Sequence, residues 1–323
     1  MNNKIKWGVL GYARICQRVI PAIIKASNSE FYAFASRNPE SLVKCQEKFH
    51  CKKTYETYDL LLEDPDVQAV YIPLPNSLHR EWTIKAARKG KHILCEKPLA
   101  LSEKDAREMF EECSLHKVKL MEAFMYRYSD RSAKIREVLT SGVLGDIKYI
   151  DTRYHFCFLP NPETDINDYR MKPEMGGGSL YDVGSYPVNF IGWVTGSTPV
   201  AIDAKAEFKM GVDISLSSVL EYQNGIITNL SCGFDTYTRM YSEILGTKGF
   251  LEMPDTFFGN AGTIILNTED GRKEINVDET ERYLLEIEDF TDALINNRKP
   301  LFNSMEETIR NMGVIDRLYK SIR

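Results

Sequence analysis

A chain of 323 residues exceeds one ordinary domain and fits two, and with 43% hydrophobic and 27% charged residues it can bury a sizeable core. The net charge of −5, without a basic block, argues against nucleic acid or an anionic membrane as a partner. Seven scattered cysteines lacking a Cys-x-x-Cys pair point to reduced thiols and a cytoplasmic protein, five unclustered histidines give no metal site, and neither a signal-peptide core nor a membrane-spanning run is visible.

Residues 1–125 alternate strand-like and helix-like segments. Ile5 to Leu10 is a short apolar run closed by a glycine turn, as a buried parallel strand is. A helix is predicted from about Arg14, kinked near Pro21, which has no N–H to donate. Residues 31–36 read as a second strand, and a polar helix with Glu40, Lys44 and Lys48 follows. Another apolar run, 67–72, is closed by Pro73 and Pro75. In the next helix Trp82, Ala86 and Ala87 share a face, Lys85, Arg88 and Lys89 suit the C-terminal end, and Gly90 suits the position after it. Then come a strand from His92 to Glu96, a helix opening at Ser102 with Asp105 as capping partner, and a strand over 118–122. This alternation predicts a doubly wound parallel sheet.

The pattern changes in the remainder, 126–323. Runs at 216–222 and 226–230 flank Asn224-Gly225, and runs at 263–267 and 274–277 flank Asp270-Gly271. Such pairs supply the positive φ of tight hairpins, so this half is expected to be an α/β domain built on a mainly antiparallel sheet. Two helices close the chain. The first carries Tyr283, Ile287, Phe290 and Leu294 as one stripe, and the last opens on the capping box Ser304-x-x-Glu307.

Four constellations could carry chemistry. After the first strand, Gly11-x-Ala13-x-x-Cys16 is a reduced form of G-x-G-x-x-G, in which Gly11, Tyr12, Ala13, Arg14 and Ile15 would bring backbone N–H groups at a helix N-terminus to a pyrophosphate; a plain strand-to-helix turn is the alternative. About 25 residues past Gly11, Ser36-Arg37 stands where an acidic residue would hold the ribose of NAD. A hydroxyl and a guanidinium suit a 2′-phosphate, so NADP is preferred over NAD, with a solvated arginine as the bland reading. Cys95-Glu96-Lys97-Pro98 ends a parallel strand, the edge where ligands of such sheets bind; alone it would pass for a surface lysine. Last, Gly176-Gly177-Gly178 precedes Asp182 and Tyr186, four apart and on one face of a predicted helix. The glycines would admit a ligand close to the backbone, and the pair with a lysine would make a proton-transfer set. A buried, hydrogen-bonded tyrosine is the competing reading.

Together these residues resemble the glucose–fructose oxidoreductase, inositol dehydrogenase and rhizopine-catabolism (Gfo/Idh/MocA) family over essentially the whole chain. The most specific pieces are Glu96-Lys97-Pro98, Asn76-Ser77-Leu78-His79 after a proline, Met121-Glu122-Ala123-Phe124-Met125-Tyr126-Arg127, and the Gly-Gly-Gly…Asp-Val-Gly-x-Tyr segment. The last two are similar to the branch with dimeric dihydrodiol dehydrogenase, NADP-dependent xylose dehydrogenase and glucose–fructose oxidoreductase, where tyrosine replaces a histidine. The Gly-x-Ala fingerprint also occurs there, whereas Cys16 is a departure.

The resemblance implies a Rossmann domain followed by a substrate-binding and oligomerisation domain with an open-faced sheet, the last helix returning to the first domain. It implies a Lys97–Pro98 bond that is often cis, acid–base work by Lys97 and Tyr186, and Asp182 positioning substrate or tyrosine. Pro73, Asn76, His79 and Glu96 join the cofactor set, with His79 equally readable as a structural histidine. Tyr126, Arg127, Phe156 and Arg170 are candidate pocket residues. The expected reaction is hydride transfer between nicotinamide and a hydroxyl or carbonyl carbon of a carbohydrate-like or cyclic hydroxy substrate. In it Tyr186 is the acid–base group and the Lys97 cation lowers the tyrosine's pKa from about 10. A homodimer or homotetramer is implied by the family alone. Two other readings stay open: an NADP-binding sensor without turnover, and an NAD-dependent glycoside-cleaving enzyme.

Overall fold

The computed structural model describes residues 4–159 and 168–322. The chain divides into two compact units. One comprises residues 1–125 and 281–308, the other 126–280 and 309–323.

The first unit is built on β1 (Ile5–Leu10), α1 (Cys16–Lys25), β2 (Ser29–Ala35), α2 (Pro39–Phe49), β3 (Lys53–Tyr55), α3 (Tyr58–Glu63), β4 (Ala69–Ile72), α4 (His79–Arg88), β5 (His92–Glu96), α5 (Glu103–Leu115) and β6 (Leu120–Ala123). Its six strands are all parallel, in the order β3-β2-β1-β4-β5-β6. The order reverses between β1 and β4, and that switch point is where open parallel sheets bind ligands, at the carboxyl ends of the strands. Trp7, Val9 and Leu10 of β1 have no exposed surface, as a strand covered on both faces requires. The short β3 and α3 were not anticipated in the sequence.

Local chemistry sets the helix ends. Ser102 accepts the Asp105 N–H at 3.1 Å, and Gly90 takes φ +71° after α4. Pro21 lies inside α1. The Lys97–Pro98 bond is cis.

The second unit contains α6 (Asp130–Ser141), β7 (Ile147–His155), a π-helical turn at Leu180–Gly184, α7 (Ser185–Thr195) and strands β8 (Ala201–Lys209), β9 (Val212–Glu221), β10 (Ile227–Gly233), β11 (Arg239–Gly246), β12 (Gly249–Pro254), β13 (Gly262–Thr268) and β14 (Gly271–Val277). Its eight strands run β14-β13-β12-β11-β7-β10-β9-β8. Every pair is antiparallel except β7 with β10. Both expected hairpins form, with Gly225 at φ +82° and Gly271 at φ +112°. In β9 Leu216, Ser218 and Leu220 are buried while Ser217, Val219 and Glu221 are exposed, the period of two that gives a sheet one covered face. The π turn and α7 pack against β7 and β10.

Two helices end the chain, α8 (Arg282–Ile295) and α9 (Met305–Ile322). The helix that rejoins the first unit is α8 rather than the last one. It packs on α1, with Phe290 against Trp7 at 5.8 Å and Thr291 Oγ1 accepting the Trp7 indole N–H at 3.3 Å. In α8, Ile287 and Phe290 are fully buried, whereas Tyr283 and Leu294 are half-buried. The Ser304/Glu307 capping box closes in both directions, at 3.2 and 3.0 Å. Among the described residues no helix is long and apolar enough to cross a membrane.

Candidate active site

In the first unit, the loop after β1 is shaped to receive a backbone-bound group. Gly11 has φ +95°, and a Cβ there would meet Leu74 Cδ2 at 2.8 Å, so only glycine fits. Its N–H is tied to the Ala35 carbonyl at 2.8 Å. The N–H groups of Cys16, Gln17 and Arg18 are already donated to Ala13, Arg14 and Ile15. The open donors lie within the stretch the sequence singled out: Ala13, Arg14 and Ile15 donate no N–H bond among the described residues. Cys16, where a glycine is usual, is buried and points its thiol at the Gly11 carbonyl, 3.6 Å away; burial pushes that thiol up to about 12. Tyr12 packs edge-on to Phe34 and accepts from Gln17 at 2.7 Å.

At the end of β2, Ser36 is buried and its Oγ accepts the Asn38 N–H at 3.1 Å, which leaves the hydroxyl proton available. Arg37 is exposed, its guanidinium 5.4 Å from the Tyr58 ring centre. Asn38 caps α2 by accepting the Glu40 N–H at 2.9 Å. A glycine whose position excludes a Cβ, open amides beside it, and a hydroxyl with a guanidinium at the next strand end fit a dinucleotide carrying a 2′-phosphate.

Pro73, Asn76 and Lys97 follow β4 and β5 at the same carboxyl edge, with Pro73 and Asn76 buried. Glu96 accepts from the Tyr71 hydroxyl at 2.6 Å and from the Lys97 N–H at 3.3 Å, so the strand end is pinned before the lysine. Burial, then the charge of Glu96, pushes the Tyr71 pKa well up. His79 has no exposed surface, and both ring nitrogens face carbonyls, Nδ1 to Pro98 at 2.9 Å and Nε2 to Leu74 at 2.7 Å. Its ring is engaged in holding the fold, which is the structural reading of this histidine. Among the described residues no three His, Cys, Asp or Glu side chains converge as metal ligands do.

In the second unit, Tyr186 is 4% exposed at the start of α7, with rings on several sides: Phe258 at 5.3 Å, Phe257 at 5.5 Å, Tyr154 at 5.6 Å and Tyr126 at 6.0 Å. Asp182 receives the Arg170 Nε–H at 2.7 Å, and Arg170 also bridges Asp168 at 3.2 Å. Burial would lower the pKa of Arg170, but Asp182, with Tyr169 and Asp168, raises it, so the guanidinium stays charged. Arg170 and Asp182 are thus brought together as an ion pair. Tyr126 donates to Asn189 at 2.5 Å, Arg127 lies buried over the Trp193 ring at 4.3 Å, and Phe156 packs half-buried between Tyr154, Phe158 and Phe234.

One expectation about this segment is corrected. Leu180–Gly184 is a π turn, wider than an α turn, so four residues of separation do not place Asp182 and Tyr186 on one α-helical face. Gly177 and Gly178 are also required by the chain's own packing. A Cβ at Gly177 would meet the Arg170 carbonyl oxygen at 2.5 Å, and one at Gly178, φ +115°, would meet Asp213 Oδ1 at 2.2 Å.

With this geometry in place, the chain can be set beside known proteins. Residues 5–124 match the oxidoreductase family with an NAD-binding Rossmann fold, and 132–252 match the GFO/IDH/MocA C-terminal domain. The chain belongs to the Gfo/Idh/MocA oxidoreductase family. It is 35% identical over 320 residues to D-xylose 1-dehydrogenase (NADP(+)) 2 of Haloferax volcanii, covering 98% of this chain and 96% of the relative. It is 29% identical over 274 residues to trans-1,2-dihydrobenzene-1,2-diol dehydrogenase of Xenopus laevis, covering 84% and 81%. Among solved structures, a 3-ketoreductase from Actinomadura kijaniata in complex with NADP and TDP-benzene superposes with a TM-score of 0.91 at 28% identity, covering 99% of this chain and 98% of that one. The family and the branch named from the sequence are the right ones, and the chain is an NAD(P)-dependent dehydrogenase or reductase.

Sequence reasoning missed one buried acid that bears on this segment. Asp213, buried in β9, accepts from Ser179 Oγ and the Leu180 N–H, both at 2.7 Å, and from the Tyr319 hydroxyl at 2.8 Å. It anchors the start of the segment that carries Asp182 and Tyr186. Burial pushes its pKa up against the pull of those three donors. An acid between the apolar Val212 and Ile214 was the available signal.

Proposed function

We propose that the protein catalyses reversible, NADP-preferring oxidoreduction of a carbohydrate-like alcohol or carbonyl compound, with Tyr186 as the acid–base group. The observation that carries this reading is the state of Tyr186: a phenol buried among aromatic rings at the head of α7, on a segment anchored by Asp213. A phenol held in place by surrounding rings presents its hydroxyl in one direction, as proton exchange with a substrate oxygen requires.

When bound, the nicotinamide supplies or accepts the hydride at the substrate's carbinol carbon. In the reductive direction Tyr186 gives its proton to the substrate oxygen; in the oxidative direction it takes that proton back. The Lys97 ammonium, at the carboxyl edge of β5, stabilises negative charge as it develops on oxygen. Asp182 acts through Arg170, whose guanidinium it holds. Because two carboxylates already neutralise Arg170, the pocket suits a neutral polyol or sugar better than an anionic one. The free amides of Ala13, Arg14 and Ile15 take the pyrophosphate, and Ser36 with Arg37 takes the 2′-phosphate.

The test is a panel of aldoses, polyols and dicarbonyl compounds with NADP+ or NADPH, followed at the nicotinamide absorbance, then repeated with the non-phosphorylated cofactor. A lower Michaelis constant for NADPH than for NADH is expected. Equal constants would remove the role given to Ser36 and Arg37, and cofactor binding without turnover of any substrate would favour the sensor instead.

A further inference from the structure

The run 121–127 also carries an acid, Glu122 on β6, that has no place in the chemistry just described. Glu122 is 2% exposed. Its Oε1 accepts the Leu99 N–H at 2.8 Å. The carbonyl of the same peptide unit, that of Pro98, faces His79 Nδ1 at 2.9 Å. One peptide plane, directly after Lys97-Pro98, is therefore gripped on its N–H side by a buried carboxyl, and on its C=O side by a buried imidazole in the tautomer that carries its proton on Nδ1. The Nε2 of that imidazole lies 2.7 Å from the Leu74 carbonyl, after the end of β4.

We propose that Glu122 and His79 are positioning residues for Lys97, clamping the Pro98–Leu99 peptide so that the lysine leaves β5 in one fixed direction. A backbone N–H needs an acceptor, but a neutral one would do. Burying a carboxyl there is costly unless its charge or its two oxygens are used. Burial pushes Glu122 up to about 7, reinforced by the charge of Glu96 and moderated by the Leu99 N–H, Thr308 and Lys97; these are the groups that face it from β5, the following turn and the start of α9. Its second oxygen, Oε2, and the Thr308 hydroxyl are both buried without a well-formed hydrogen bond. Among the described residues, the N–H contact at Oε1 is thus the one firm bond the carboxyl makes. A neutral imidazole has a single N–H and can donate to only one of its two carbonyls. The clamp is accordingly sensitive to substitution on both sides.

The inference rests on the role proposed for Lys97, and a double-mutant cycle separates the two. Single-turnover rates are measured on NADPH-loaded protein, normalised to bound cofactor, for wild type, Glu122→Leu, Lys97→Ala and the double variant. Expected is a rate lowered roughly 10- to 100-fold in Glu122→Leu, the size of loss that small misplacements of a catalytic group bring, with substrate KM within about threefold. Expected also is a double variant no slower than Lys97→Ala alone. Glu122→Gln and His79→Asn, which keep an acceptor and a donor in place, should restore most of the rate, whereas His79→Leu should not. Should Glu122→Leu fail to bind NADPH, the cycle is run with His79→Leu in its place. A double variant slower than Lys97→Ala by the full single-mutant factor would overturn the clamp, and so would wild-type turnover in Glu122→Leu. Wild-type turnover in Lys97→Ala would instead overturn the role of the lysine.

Discussion

At the scale of single residues, the informative groups are buried and ionisable. Glu122 is displaced from an ordinary value of 4.5 to about 7 because the folded state buries it. For a raised acid, the stabilising effect of that displacement is full below pH 4.5 and is lost as pH rises through 7. The displacement corresponds to at most about 3 kcal/mol. Glu122→Gln should therefore flatten the pH dependence of stability across this interval, as read from urea midpoints at pH 5 and pH 8; an unchanged slope would show that Glu122 does not titrate there. None of this was legible in sequence. The likeness run quotes Glu122, but its partner Leu99 lies on another strand's turn, and only the fold brings them to 2.8 Å. Lys97 and Gly11 were legible because each sits where a parallel strand ends, a place that chain pattern alone defines.

Whole elements follow a similar division. Short-range chemistry was readable: the caps at Ser102 and Ser304 form with the predicted partners, and Asn224-Gly225 and Asp270-Gly271 turn their hairpins. The π turn was not, because the five-residue register of its bonds leaves no periodic trace in so short a stretch. The glycine run was read only in part for a related reason. At Gly177 and Gly178 the close approach is made by the Arg170 backbone and the Asp213 carboxyl. Gly178→Ala should thus cost stability, roughly 2–4 kcal/mol from a positive φ combined with overpacking. Since the same glycine abuts the anchor of the Tyr186 segment, activity should fall with it. Denaturation midpoints decide this: a variant within about 0.5 kcal/mol of wild type would mean the π segment tolerates the shift.

At the scale of the whole molecule, the two patterns read along the chain correspond to two sheets, one of six parallel strands and one of eight mainly antiparallel strands. The return of residues 281–308 to the first unit was misassigned to the last helix, since periodicity marks α8 and α9 alike and says nothing of which sheet each covers. If the first unit binds NADP as its loop suggests, saturating cofactor should stabilise the protein by mass action. At a hundredfold excess over Kd this amounts to about 2.7 kcal/mol, a rise of several degrees in Tm. NADH at the same concentration should give a smaller rise, and equal shifts would argue against 2′-phosphate recognition at Ser36 and Arg37.

The central claim is that a buried tyrosine moves the proton. Tyr186→Phe removes one oxygen and keeps the ring among Phe257, Phe258 and Tyr154. Its single-turnover rate of nicotinamide oxidation, at saturating NADPH and a substrate identified from the panel, should fall about 10²- to 10⁴-fold, with NADPH affinity unchanged. A rate within about threefold of wild type would contradict the account.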